Sequence, residues 1–205
     1  MNEKDTISEF GLMKEKRKTG SEKFHHNSDE KSISLLDFWQ WSTSTLLNNT
    51  TRGILAEFIV AQSLGIAESI RSPWDAYDLQ LTNGIKIEVK SSAYIQSWYQ
   101  KKLSNITFGI SKTRGWNEQT NQQDSELKRQ VDIYIFCLLN HKIQDTIDPL
   151  DMDQWDFFIL PSSVLDNKVE DWKSIGLKSL IKLNPLHVKY GDIAQSVEKL
   201  GMFIS

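Results

Sequence analysis

The sequence predicts an α/β fold, and three stretches predict it. Residues 50–64 have helical length, and nearly every position from Ile54 to Ala61 is apolar. Residues 76–90 alternate with period two on either side of a turn. Residues 131–139 form an apolar run of strand length. A helix followed directly by a hairpin packs on that hairpin, and an all-apolar strand belongs in the middle of a covered sheet.

Before the first of these stretches, residues 1–32 are polar, of mixed charge and without periodicity, so they read as a flexible arm. His25 and His26 read as a solvent-exposed pair rather than a metal site. Residues 33–47 have a helical pattern containing Phe38, Trp39 and Trp41, read as packing residues, with base stacking as the alternative.

In residues 50–64, Asn49 or Thr50 can cap the start and Gly65 suits the end. Such a helix, apolar all round, is expected to be buried. Glu57 is the exception in its apolar surroundings, and a buried carboxylate must be paired, protonated or bound to metal. Gly53 and Ala61, four residues to either side, leave room for a close approach. Arg52 offers a structural salt bridge instead, at an offset of five that is poor for an intrahelical pair.

The hairpin holds the densest information. Residues 76–81 read Ala-Tyr-Asp-Leu-Gln-Leu and residues 85–90 read Ile-Lys-Ile-Glu-Val-Lys. A two-residue Asn83-Gly84 loop would set Leu79 against Glu88. A three-residue loop, Thr82-Asn83-Gly84, sets Leu79 against Ile87 and Leu81 against Ile85, and so keeps apolar with apolar. Asp78 then faces Glu88, Gln80 faces Lys86 and Ala76 faces Lys90. Opposed residues have β-carbons roughly 4.5–5.5 Å apart. Two carboxylates that close repel unless a proton or cation joins them. Magnesium, which takes one or two protein carboxylates and fills its shell with water and phosphate oxygens, would resolve the conflict. Lys-x-Glu-x-Lys alternation also fits a merely solvated strand face.

Beyond the hairpin, residues 94–102 mix aromatic and basic side chains, including Lys101 and Lys102. They suit stacking on bases and tracking phosphates, or equally a loop whose aromatics pack under the sheet. Residues 106–110 read as a strand. Residues 111–126 read as a long polar loop, a candidate clamp over DNA. Residues 131–139 read as a central buried strand containing the single cysteine, Cys137, as a buried thiol, with Asp132 structural at its start. Residues 155–160 give a further strand, Pro161-Ser162-Ser163 opens a short helix, and Asp192 can cap a helix with Ile193, Val197 and Leu200 on one face.

The 205 residues are 39% hydrophobic, enough for a single packed domain over 33–205. One cysteine excludes a disulfide within the chain. No membrane span or secretory segment is visible, so the cytoplasm is the expected location. A net charge of −3 argues mildly against a dedicated nucleic-acid binder. The charge is uneven, however. Residues 86–129 hold eight basic residues against four acidic ones, a local excess of +4 that suits phosphate contacts through Lys101, Lys102, Lys112 and Arg114.

Arg52-Gly53-Ile54-Leu55-Ala56-Glu57, Asp78 and Ile87-Glu88-Val89-Lys90-Ser91-Ser92 together resemble the PD-(D/E)XK nuclease superfamily. The resemblance covers about residues 45–165. It implies a restriction-endonuclease-like core, a mixed central sheet in the order α-β-β-β-α-β flanked by helices. It implies Asp78 and Glu88 as metal ligands, Glu57 acting through the metal or its water shell, and Lys90 orienting water or stabilising charge on the phosphate. The chain departs from the pattern in lacking a proline directly before Asp78; Pro73 lies five residues upstream. Asp75 is the rival for the first acid. Gln96 is a further candidate for touching a base or phosphate.

The expectation is a magnesium-dependent endonuclease cutting DNA, of restriction or repair type, with manganese as an alternative metal and RNA as an alternative substrate. A homodimer would supply the two active sites that double-strand cutting implies. The rival readings are a non-catalytic nucleic-acid- or partner-binding domain on the same fold, and a subunit of a larger restriction or defence complex.

Overall fold

The computed structural model describes residues 13, 15–72, 75–117 and 122–202. Its elements are β1 (Lys23–His26), β2 (Asp29–Ser34), α1 (Leu35–Thr43), α2 (Asn49–Ser63), β3 (Leu79–Gln80), β4 (Lys86–Ala93), β5 (Thr107–Gly109), β6 (Thr113–Asn117), β7 (Gln122–Lys128), β8 (Ile133–Leu139), β9 (Trp155–Pro161), α3 (Ser162–Lys168), β10 (Ser174–Gly176), α4 (Leu177–Lys182), β11 (Leu186–Val188) and α5 (Ile193–Gly201). The architecture is mixed α/β, with a central five-stranded sheet in the order β11-β9-β8-β4-β3. β4 and β8 run parallel and the other neighbours antiparallel.

The sheet is buried on both faces around β8, its middle strand, which is apolar at every position. All seven residues of β8 are buried, Cys137 among them. One face carries Ile87, Val89, Ile133, Ile135 and Phe157 against Ala56, Ile59 and Val60 of α2 and Ile193 and Val197 of α5. The other carries Tyr134, Phe136, Leu138, Phe158 and Leu160 against Phe108, Leu165, Ile175 and Leu180.

Several local expectations need correcting. The α-β-β-β-α-β order is not reproduced: β4 reaches its parallel neighbour β8 through β5, β6 and β7, with no helix among the described residues of that crossover. Part of the arm expected over 1–32 is a hairpin. β1 and β2 pair antiparallel around Asn27 and Ser28, whose φ values of 51° and 67° give the left-handed pair that a two-residue hairpin loop needs. The helix expected over 33–47 is shorter, opened by a reciprocal cap between Ser34 and Asp37. Phe38 and Trp41 do not pack in the core; Trp41 is 85% exposed. Trp39 alone is half-buried, with its ring against Gly20.

Asn48, not Asn49 or Thr50, caps α2, its Oδ1 accepting the Thr51 N–H at 2.9 Å. α2 is also not buried all round, because Ile54 and Phe58 form an exposed stripe. The polar stretch 111–126 is mainly a two-stranded ribbon of β6 and β7, its tip lying outside the described residues. Asp192 stands at the start of α5, but its side chain makes no capping bond. Pro73 falls outside the described residues.

Candidate active site

The Leu81–Ile85 turn sets the register. Gly84 donates to the Leu81 carbonyl at 2.9 Å with φ +91°, and Leu81 donates to the Ile85 carbonyl at 2.9 Å. Leu79 pairs with Ile87 and Gln80 with Lys86, the register of the three-residue loop. The pairing stops there. Asp78 lies outside β3 and does not sit opposite Glu88 as a ladder pair; it brackets Glu88 instead. Its N–H donates to the Ile87 carbonyl at 3.1 Å, and its carboxylate accepts the Val89 N–H at 2.7 Å.

Glu88 and Lys90 share a face of β4 by the two-residue period and form an ion pair with each other. They pair in register with Tyr134 and Phe136 of β8. Burial, then the charge of Glu88, push Asp78 up to about 7; the Val89 N–H and the Lys90 ammonium oppose this, and the charge of Glu57 adds to the rise. Asp78, Glu88, Glu57 and Lys90 therefore act on one another electrostatically. Tyr134 is raised by burial and then by Glu88. Among the described residues no three His, Cys, Asp or Glu side chains stand together as a ready metal cage.

Glu57 is not paired with Arg52. Its two oxygens accept from Nε and Nη2 of Arg71, the latter at 3.0 Å. Burial permits this because Arg71 reaches in from the exposed segment after α2. Sequence reasoning missed Arg71. A basic residue in the connection between helix and hairpin was its only signal, and no periodicity places such a residue.

Arg52 does different work. Only 3% exposed, it donates to the Leu47 carbonyl, Asn49 Oδ1, Ser91 Oγ and Gln96 Oε1 at 2.8–3.1 Å. Burial without a carboxylate partner lowers its pKa. Gln96 is consumed by the same network: its Oε1 takes Arg52 and its Nε2 donates to the Ala93 carbonyl and Ser104 Oγ. Gln96 thus holds the loop after β4 and is not free to touch a base or phosphate. Asp75 is exposed and its charge bears on Tyr77 rather than on the Asp78 pair.

Of the basic residues, Lys101 and Lys102 are exposed beside Trp98 (53% exposed) and Tyr99 (86%). The loop is held from beneath by Gln100, which accepts the Gln96 N–H at 2.7 Å and donates to Ser104 at 2.9 Å. Lys112 is paired to Glu170 at 2.8 Å, and Arg114 is exposed on the ribbon. Arg129, buried at the foot of that ribbon, pairs with Asp166 and bonds to the carbonyls of Val169 and Glu170.

A buried carboxyl beside the Glu88–Lys90 pair is an arrangement that can hold a divalent cation and a phosphate ester. The family model described as bacteriophage T4 endonuclease IV matches residues 4–174, a span that contains Glu57, Arg71, Asp78, Glu88 and Lys90. The chain belongs to that family and is a nuclease. No curated protein and no solved structure matches it. Among the described residues no helix is long and apolar enough to cross a membrane.

Proposed function

We propose that this protein is a metal-dependent endonuclease that hydrolyses phosphodiester bonds in DNA, of restriction or repair type. Its hydrolytic centre is Asp78, Glu88 and Lys90, a variant of the PD-(D/E)XK arrangement. The observation that carries the reading is a buried Asp78, tied to the Val89 N–H next to Glu88, whose pKa is pushed up to about 7 by burial first and by the Glu88 charge second. A buried carboxyl in that state gains by exchanging its proton for a divalent cation.

The donor set fits magnesium, with manganese as a substitute, held by Asp78 and Glu88 with the rest of its shell open to water and phosphate. It does not favour Glu57 as a third ligand, because both Glu57 oxygens accept from Arg71. When bound, the metal supplies a water of lowered pKa and neutralises phosphate oxygens.

The chain's own residues do the rest. Lys90, held on the strand face by Glu88, donates to the phosphate oxygens. It offsets the charge that builds as the water oxygen bonds to phosphorus and the ester P–O bond breaks. The water loses a proton to solvent and the leaving oxygen takes one up. Trp98 and Tyr99, exposed beside Lys101 and Lys102 on a pinned loop, favour contact with base faces and phosphates over packing under the sheet. Two copies acting on opposite strands would give double-strand breaks.

The test is plasmid cleavage with magnesium, with EDTA and by Glu88→Ala. Cleavage by the native chain with magnesium only, and none by Glu88→Ala, is expected. No metal-dependent cleavage of DNA or RNA and no magnesium binding would favour a non-catalytic binding domain.

A further inference from the structure

The side chain that partners Glu57 has no role in the hydrolytic reading. Arg71 meets Glu57 through Nε and Nη2, a fork-to-fork pairing that fixes the plane of the guanidinium. The Nη1 edge has no hydrogen-bond partner among the described residues. The pair is asymmetric in burial: the Glu57 side chain is 12% exposed and that of Arg71 40%. The carboxylate is therefore anchored in the protein and the guanidinium is open on one side to solvent. The Asp78 charge also acts on Arg71, so the guanidinium lies within electrostatic reach of the candidate centre.

Charge decides what that edge is for. The cluster holds three carboxylates, Glu57, Asp78 and Glu88, against two cations, Lys90 and Arg71. A dianionic pair at Asp78 and Glu88 repels a phosphodiester. With Glu57 cancelled by Arg71 and one divalent cation bound, the balance turns positive by one, matching one phosphodiester charge. Without Arg71 it would be neutral. A surface ion pair with no further task would not need its carboxylate sunk within electrostatic reach of a second buried carboxyl, Asp78.

We propose that Arg71 binds the phosphate being cleaved, and that Glu57 is a positioning residue that holds the Arg71 guanidinium rather than a third metal ligand. The inference rests on Asp78, Glu88 and Lys90 being the hydrolytic centre. Guanidinium suits the task because its planar donors match two phosphate oxygens, which an ammonium cannot reproduce.

The experiment combines three readouts on the full chain. These are DNA cleavage in magnesium, DNA affinity in calcium, and binding of manganese alone followed by electron paramagnetic resonance. Arg71→Ala is expected to slow cleavage about 100-fold, largely in kcat, while manganese affinity stays unchanged. Added guanidinium should restore part of that activity, and Arg71→Lys should fall between Arg71→Ala and the native chain. Glu57→Gln combined with Arg71→Ala should be no slower than Arg71→Ala alone, since the two act as a unit. The exchange Glu57→Arg with Arg71→Glu should regain the native Tm but not cleavage.

The inference is overturned if Arg71→Ala cuts at the native rate, if Glu57→Gln weakens manganese binding tenfold or more, or if the exchanged pair cuts like the native chain. A native chain that neither binds manganese nor cuts, or a Glu88→Ala variant that cuts normally, would instead overturn the hydrolytic centre and this inference with it. Arg71→Lys, which keeps a charge and a long side chain at the position, decides the question if Arg71→Ala is unstable: cleavage at the native rate by a folded Arg71→Lys would overturn the inference.

Discussion

Asp78 and Val89 are joined side chain to backbone, the Asp78 carboxylate accepting the Val89 N–H at 2.7 Å across the point where the β3–β4 ladder ends. That bond holds Asp78 against Glu88. Burial and Glu88 lift the Asp78 pKa from its ordinary 3.8 to about 7. Between those values the folded chain keeps a proton that the unfolded chain has released. Stability from this group is full below about 3.8 and is lost as pH rises through about 7. Asp78→Asn keeps an acceptor for Val89 and cannot ionise. In EDTA its Tm should exceed that of the native chain by a gap that opens between about pH 4 and pH 8 and is flat above. Magnesium should narrow the gap by stabilising only the native chain. A gap constant with pH would show that Asp78 is not crowded.

The hairpin register was legible because apolar alternation on both strands admits only one loop length without setting Leu79 against Glu88. The position of Asp78 one step beyond the ladder was not legible. Alternation continues through Tyr77, whereas at Asp78 the regular ladder gives way to an N–H donated to the Ile87 carbonyl and a side-chain bond from the Val89 N–H. β8 was readable from composition, since every residue in it is apolar and buried. The β6–β7 ribbon was hidden by its own chemistry. All the described residues of β7 are exposed, so no apolar period marks it as a strand. Arg71 and the burial of Arg52 depend on contacts 14 to 44 residues away, which no local pattern encodes.

Gly84 holds the turn at φ +91° with open space where a side chain would stand. Gly84→Ala should therefore destabilise through backbone strain alone, by about 1–2 kcal/mol. Urea denaturation measures it. Cleavage should fall with the stability loss at high temperature and recover near 20 °C. A stability equal to that of the native chain would mean that the turn has relaxed into another type.

Arg52 ties α2 to the strand that carries Glu88 and Lys90 through Ser91 Oγ at 3.1 Å and to the following loop through Gln96 at 3.0 Å. Arg52→Ala leaves Gln96 Oε1 and the Leu47 carbonyl short of a donor. It should cost about 2–3 kcal/mol. Arg52→Lys should recover little, because one ammonium cannot reach four acceptors spread around a planar fork. Chemical denaturation of the three proteins gives the comparison. A lysine variant as stable as the native chain would mean that charge rather than geometry matters there.

Lysines that read alike in the sequence differ in their surroundings, and salt dependence separates them. Lys101 and Lys102 are exposed on the loop that presents Trp98 and Tyr99, whereas the Lys112 ammonium is held by Glu170 at 2.8 Å. A lysine on a phosphate releases a counterion, so each such contact steepens the fall of log affinity with log salt by about 0.7–0.9. Lys101→Ala and Lys102→Ala should each flatten the slope for DNA binding in calcium by about that amount. Lys112→Ala should leave the slope unchanged while lowering Tm slightly through loss of its contact to the segment after α3. Fluorescence anisotropy with a labelled oligonucleotide between 50 and 300 mM salt, about the range over which counterion release dominates, measures all three. A change in slope for Lys112→Ala alone would move the nucleic-acid path from the loop after β4 to the base of the β6–β7 ribbon.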